Sequence, residues 1–366
     1  MMISLMRVYT IREAPSRRRA GWIRLTQPAD PGKRGPDRHD RCAGRTLDTG
    51  MKHPGQNGRT AMMRQSWRVT RRDFLRRSGL AAAGLARGLS LAHAGEDGRK
   101  TIRSFGMVTD AHYADRDPGG SRIYRESIAK MTECVKLMNE KKVDFLIELG
   151  DLKDQGHPAS EETSLGFLTE IEMVLGRFKG PRYHVLGNHD VDSISKQQFL
   201  DRVENTGIQK EASYYSFDSQ GVHLVVLDAC FTSQGADYDH GKFGWKDANI
   251  PPRELEWLKQ DLASTTKPVI AFVHQLLDGE GGHTVKNAAE VRQILRESKN
   301  VLAVFQGHQH GGQYSHIEGI HYYTLPAMVE GSGEKHNAYA VVDVHDDNSL
   351  TVTGYRKAVS KELAKA

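Results

Sequence analysis

The stretch "VLAVFQGHQHGG", residues 301–312, leaves a run of β-branched and apolar side chains. It then at once sets imidazoles at His308 and His310 among glycines at 307, 311 and 312. The run reads as a buried strand. Alternate residues of a strand face one side, so two histidines one residue apart can aim the same way. Taken alone, such a stretch is as readily a polar turn as a metal site. The rest of the chain decides between them.

Working outward, "RSFGMVTD" (103–110), "VDFLIELGD" (143–151), "RYHVLGNHD" (182–190), "HLVVLDA" (223–229) and "PVIAFVH" (268–274) are further apolar runs. Each reads as a buried strand closing on an acidic or polar residue. Helical patterns lie between them at about 122–141, 161–177, 252–264 and 287–298. In the third, Leu255, Leu258 and Leu262 share one face behind a leading Pro252. The end of the chain alternates in the manner of antiparallel strands, at 314–325, 338–345 and 350–357. Strands alternating with helices and then a β-rich end predict an α/β (α+β) fold, with two packed mixed sheets flanked by helices in one domain over 95–366.

Charge divides the chain in two. Residues 1–94 carry 20 Lys and Arg against 6 Asp and Glu, whereas the remainder carries 31 against 40. The folded part is therefore acidic, which argues against nucleic acid as a partner because phosphate neutralisation needs a basic face. An acidic protein that handles phosphate esters would need cations to do so.

The basic excess sits around "TRRDFLRRSGLAAAGLARGLSLAHAG" (70–95), with Arg71 and Arg72 ahead of a weakly apolar stretch that ends in Ala92, His93 and Ala94. This resembles a twin-arginine export signal over 63–94. It predicts handling by the twin-arginine machinery and a periplasmic or secreted destination. The stretch is too short for a stable membrane span. Residues 1–62 are Arg-, Pro- and Gly-rich without periodicity and read as a disordered or over-extended start, with Met62 or Met63 the better initiator. Cys42, Cys134 and Cys230 show no CxxC spacing, so thiolate zinc is not expected.

Potential ligands gather at the strand ends: Asp110 and His112, Asp151, Asn188 and His189, His274, and His308 with His310. In open α/β sheets, sites form outside the carboxyl ends of strands. Singly, each residue has a plain reading as a helix cap, a core histidine or a turn. Together, an all-N/O set without cysteine suits Mn, Fe, Zn or Co. A carboxylate shared by two such cations would clamp a phosphoryl group for in-line attack.

The blocks "DAH", "GD", "GNHD", a later strand-end histidine and "GHQH" resemble the five-block pattern of calcineurin-like metallophosphoesterases, from residue 103 to about 356. The resemblance implies that family's four-layer sandwich and two divalent metal ions. Asp110, His112, Asp151 and His310 would hold one, and Asp151, Asn188, His274 and His308 the other, with Asp151 as bridge. It further implies that His189 is a non-ligand that protonates the leaving oxygen or binds the phosphoryl group, with Asp190 beside it to orient and charge it. Asp154 stands where purple acid phosphatases have a tyrosine, so no iron–tyrosinate centre is expected.

"HYAD", "SRIYRES", "PPRELEWL" and "IHYYTLPAMVEG" are similar to the Mn-dependent ADP-ribose/CDP-alcohol diphosphatase branch, which often has Gln where His112 stands. Arg122 and Arg125 are candidates for gripping a second phosphate, and each reads equally as a solvated helix arginine. His283 and Asn287 are candidates for the leaving-group pocket. The expected activity is hydrolysis of phosphodiester or nucleotide diphosphate bonds in a small phosphoester or nucleotide by metal-hydroxide attack on phosphorus. The alternatives are a phosphomonoesterase on the same site and a non-catalytic periplasmic binder of metal or phosphate.

Overall fold

The computed structural model describes residues 98–365. The readings made for residues 1–62 and for the 63–94 signal lie outside them. The apolar runs form β1 (Thr101–Val108), β2 (Phe145–Glu148), β3 (Arg182–His184), β4 (Tyr215–Ser219), β5 (Val222–Val226), β6 (Val269–Val273) and β7 (Val301–Gln306). The alternating end of the chain supplies β8 (Gln313–Ile317), β9 (Ile320–Thr324), β10 (Ala338–His345), β11 (Leu350–Arg356) and β12 (Lys361–Leu363). Helices α1 (Ser127–Lys141), α2 (Glu161–Leu175), α3 (Lys196–Leu200), α4 (Pro252–Ala263) and α5 (Ala288–Glu297) fill the gaps.

One sheet runs β12-β11-β10-β1-β2-β3 and the other β4-β5-β6-β7-β9-β8. In the first, β1, β2 and β3 are parallel, while β10, β11 and β12 join antiparallel, as their alternation predicts. In the second, β5, β6, β7 and β9 are parallel, with β4 and β8 antiparallel on the edges. Both sheets are mixed.

Alternation along β1 shows how the layers form. Phe105 and Met107 point between the sheets, where they meet Phe145 and Ile147 of β2 and Phe272 and Phe305 from the second sheet. The Phe105 ring stacks on Phe145 at 4.9 Å and meets Phe272 and Phe305 edge-on at 5.7 and 5.8 Å, spacings at which aromatic pairs add to plain burial. Val108 faces the other way, into a cluster with Met131, Cys134 and Met138 of α1 and Leu168 and Ile171 of α2. On the far side, Val225, Ala271 and Val304 pack under Leu255, Leu258 and Leu262 of α4 and Val291 and Leu295 of α5. The order is therefore helix, sheet, sheet, helix, the four layers that the resemblance implies. Cys134 and Cys230 are buried and unpaired, and burial pushes both thiols up.

Two local expectations differ. The helix expected from residue 122 begins at Ser127, after a single 3-10 turn at Tyr124–Glu126. The reason is backbone pairing: Arg122 bridges to Gly119 and Glu330, and the Ile123 N–H donates to the Val329 carbonyl. Helix α3 escapes the periodicity because it has five residues. Its capping box, Ser195 with Gln198, is the local signal that marks it. What the fold does for function is to bring the carboxyl ends of β1, β2, β3, β6 and β7 to one edge.

Candidate metal centre and active site

The turns that leave those strands are unusually constrained. Asp110, His112, Asp151 and His308 all have left-handed backbone, with φ of 51°, 45°, 59° and 65°. Few non-glycine residues adopt that region, and each costs about 1–3 kcal/mol and persists only where its surroundings impose it. The turns are stitched together: the His112 N–H donates to the Asp151 carbonyl at 2.8 Å and the Gly307 N–H to the His274 carbonyl at 3.1 Å. The His308 N–H donates to Asp110 Oδ2 at 3.1 Å. Gly187 and Gly307 let the turns approach this closely. A Cβ at Gly187 would collide with the backbone and carboxylate of Asp151, and one at Gly307 with Thr109 and Asp110.

Among the described residues four groups have candidate ligand atoms within 4.8 Å of one another: the trios Asp110, His112 and His310, and Asp151, His274 and His308, together with two that include His189, one with His112 and Asp151 and one with Asp154 and Asp192. Asp151 Oδ2 stands between the first two trios, 3.1 Å from His274 Nε2 and 3.5 Å from His112 Nε2. Three imidazoles have their outer nitrogen engaged. His274 Nδ1 donates to the Leu149 carbonyl at 2.8 Å. His310 Nδ1 contacts Glu330 at 2.5 Å and His112 Nδ1 contacts Asp154 at 3.1 Å. Holding Nδ1 outward leaves Nε2 of each ring facing the centre, the arrangement of a metal-binding histidine backed by a carboxylate or carbonyl.

The donor chemistry fits a cation. Asn188 Oδ1 and His308 Nε2 are buried without a hydrogen-bond partner, a cost proteins seldom bear without use, while Asp110 Oδ1 and His274 Nε2 face only other members of the centre, His310 Nε2 at 3.4 Å and Asp151 Oδ2 at 3.1 Å. Burial alone would protonate the carboxyls of Asp110 and Asp151. The neighbouring histidines outweigh it, His112 and His310 for the first and His274 for the second, and hold both below the usual carboxylate range. In turn, and against the effect of burial, Asp151 holds His274 up at about 9. Burial and the charge of His274 draw His308 down to about 3, so its ring is neutral. The protons on such histidines are what a divalent cation would displace.

Three expected site residues are placed elsewhere. The Asp190 carboxylate turns away from the His189 ring. It is buried and accepts the backbone N–H groups of Asp151, Leu152 and Gly187 at 2.9 Å each and of Lys153 at 3.3 Å. Arg125 is held outside the cavity by Asp115 and Asp117, at 2.5 and 2.8 Å. Asn287 spends its amide on the Ile250 backbone, accepting from N–H at 3.1 Å and donating to C=O at 2.8 Å.

His189, Arg122 and His283 do line the cavity, with Asn188, His308 and His310. Arg122 reaches to 3.6 Å from Asp154. Sequence reasoning noticed Asp154 only as a departure from a tyrosine and gave it no role, and it missed Glu330 and Trp245. Asp154 falls three residues after Asp151, and Glu330 sits in the "MVEG" segment. Trp245 stands in a loop without periodicity, its ring 5.7 Å from His308 and 5.2 Å from His283.

The cavity over the two trios measures about 890 Å³. Residues 104–312 match the pattern of calcineurin-like phosphoesterases. The chain belongs to that family. Among the relatives of this phosphoesterase is a manganese-dependent ADP-ribose/CDP-alcohol diphosphatase of Arabidopsis thaliana, 25% identical over 320 residues, 74% of this chain and 99% of that one. Another is a cAMP/cGMP dual specificity phosphodiesterase of Mycobacterium tuberculosis, 23% identical over 58% of this chain and 63% of that one. A dimetal phosphatase from Danio rerio shares the fold, with a TM-score of 0.63 at 18% identity over 73% of this chain and all of that one.

The placement of Asp190 makes a prediction. Asp190→Ala strips the acceptor from four buried N–H groups, each costing about 1–3 kcal/mol when orphaned. Urea denaturation of the metal-free protein should show a loss of about 3 kcal/mol or more. Unchanged stability with lowered turnover would return Asp190 to the chemistry.

Proposed function

We propose that this phosphoesterase is an exported hydrolase of phosphodiester or nucleotide diphosphate bonds that works with two divalent cations. The observation that carries the reading is the set of buried oxygen and nitrogen ligand atoms converging around Asp151, Asn188 Oδ1 and His308 Nε2 among them without any partner, beneath a cavity large enough for a nucleotide. Asp110, His112 and His310 would hold one cation and Asn188, His274 and His308 the other, with Asp151 on both. Bound there, the cations would neutralise the phosphoryl oxygens and bring a water to a pKa of about 7. The chain's own part is to hold the phosphoryl group against that centre and to manage the leaving oxygen. His189, on the cavity wall, donates the proton.

The cavity supports a substrate with groups on both sides of the phosphorus. Trp245 offers a flat apolar surface, 39% exposed, on which a base or sugar can lie. Arg122, the one Lys or Arg side chain among the cavity's lining residues, leaves little besides the cations to neutralise the extra negative charge of a monoester. The names of the diphosphatase relatives point the same way.

Metal analysis with a substrate panel tests this. The mature protein should take up about two equivalents of divalent metal. Asp151→Ala should lose both, with nearly all activity, because one carboxylate serves both positions. The kcat/KM for bis-p-nitrophenyl phosphate or ADP-ribose should exceed that for p-nitrophenyl phosphate at equal metal loading. Retention of two metals by the variant overturns the bridge, and a monoester preference overturns the substrate class.

Export rests on the Arg71–Arg72 pair and the apolar stretch behind it. The twin-arginine route carries folded proteins, which suits a centre that is loaded before leaving the cytoplasm. Replacing both arginines with lysine should strand active enzyme inside the cell, whereas removing residues 1–61 should leave export intact. Fractionation that finds the lysine variant outside would refute the signal.

A further inference from the structure

We propose that Gln309 is a specificity-determining residue that reads the hydroxyls of the pentose joining a base to the reacting phosphorus. The inference rests on the proposed nucleotide substrate and on Trp245 as the surface for its base. Gln309 is the member of "GHQH" that the ligand assignment leaves unused, set between His308 and His310 on the cavity wall.

Other polar side chains on that wall are committed inside the protein. Glu161 holds Gln198 at 2.6 Å, Ser193 holds Ser164 at 2.6 Å and His240 holds Asp239 at 2.7 Å. Gln309 differs. Its side chain is half-buried, and among the described residues none is a hydrogen-bond partner of its amide.

Its backbone, by contrast, is pinned. The Gln309 N–H donates to the Gly307 carbonyl at 2.7 Å, and the Gln309 carbonyl accepts the Gly312 N–H at 2.8 Å. The amide therefore swings from a fixed root with its hydrogen-bonding capacity open. A ligand can use such a group without first breaking a bond inside the protein.

Covalent connectivity says what the amide meets. The Trp245 ring lies 5.7 Å from the His308 ring, and Lys246 Nζ stands 5.1 Å over one of its faces. A base on the other face, with its phosphorus at the centre, sets the pentose beside His308, because the pentose is what separates the two. Gln309 is the next residue. An amide both donates and accepts, and so does a hydroxyl, so either orientation of the amide serves. The same ambivalence makes it a poor judge of the base, since it can turn to match an amino or a keto edge. The sugar is what it can select.

Two other side chains offer comparable chemistry. Gln155 lines the cavity too, but its N–H is tied to Asp154, which faces His112 and His189 rather than His308. His283 stands near Trp245, and its ring packs on both Trp245 and His308, at 5.2 and 5.0 Å.

The test compares sugars in the metal-loaded enzyme. ADP-ribose is set against its analogues lacking the 2′- or the 3′-hydroxyl on the adenosine pentose. The parent should favour ADP-ribose over at least one analogue by about 3- to 10-fold in kcat/KM, the contribution of one neutral hydrogen bond, carried by KM. In Gln309→Met, which keeps the length without the hydrogen bonds, that preference should vanish through loss on ADP-ribose alone. Inhibition by AMP, 2′-deoxy-AMP and 3′-deoxy-AMP reads the same ratio from binding. Gln309→Leu is the second variant if the first folds poorly, with metal content as the check on both.

Equal use of all three substrates by the parent overturns the assignment, as does a preference that survives both variants. If the preference disappears in His283→Phe instead, the reading passes to His283 and Gln309 loses it. A loss that is equal for ADP-ribose, its analogues and bis-p-nitrophenyl phosphate means that Gln309 serves the centre, which also overturns it. Each of these leaves hydrolysis standing. A metal-loaded parent that turns over neither ADP-ribose nor bis-p-nitrophenyl phosphate removes the proposed function, and this inference with it.

Discussion

Asp190 lends no atom to the cavity, yet the centre is built around its carboxylate. The four backbone N–H groups that it accepts come from the loop after β2 and the loop after β3. Burial and the charge of Asp151 push the Asp190 carboxyl up to about 6, and above that pH it accepts as a carboxylate, whose hydrogen bonds in a buried setting are stronger than a neutral acceptor's. Here it binds two separate strand ends into one corner. Asp151, Asn188 and His189 stand on that corner, so their relative placement follows from one carboxylate that never meets substrate.

Around the corner, stability is exchanged for placement. Four centre residues sit in left-handed backbone, and the buried Asn188 Oδ1 and His308 Nε2 go unpartnered. The rigid inter-sheet core and the stitched turns hold these costs in place. The imidazoles are aimed from behind by a carbonyl and two carboxylates, and their supports are supported in turn. Lys130 donates to the Met328 and Gly331 carbonyls at 2.9 and 2.6 Å, and Lys357 to the Glu330 carbonyl at 2.8 Å. That fixes the segment from which Glu330 reaches His310. A buried lysine on α1 therefore bears on the angle of a ring across the sheet edge.

Much of this was legible in the sequence, for identifiable reasons. Buried parallel strands are continuous apolar runs, and they end where the polar residues begin, so the strand ends and their ligand-type residues announced themselves together. The run at 301–306 with His308 and His310 is the clearest case. What stayed hidden depends on direction rather than residue type. Nothing in "GNHDVD" says that Asp190 turns back to the backbone while Asp192 turns toward His189, because a single helical turn decides it. Arg125 and Asn287 have the right chemistry for a substrate, but nearer partners claim them, Asp115 and Asp117 for one and the Ile250 backbone for the other. Trp245 lies in a loop, where position is set by tertiary contacts and no periodicity records it.

The two cysteines of the described residues bear on where such a protein can live. Both are sealed in apolar layers, apart from each other, with thiols that resist ionisation. Oxidants and metals act on the thiolate, not the thiol. The folded domain therefore has the same covalent structure in a reducing compartment as in an oxidising one. Its described cysteines form no disulfide and offer no accessible thiolate to compete with its oxygen and nitrogen ligands for a metal. Among the described residues, no thiol ties the fold to one redox environment.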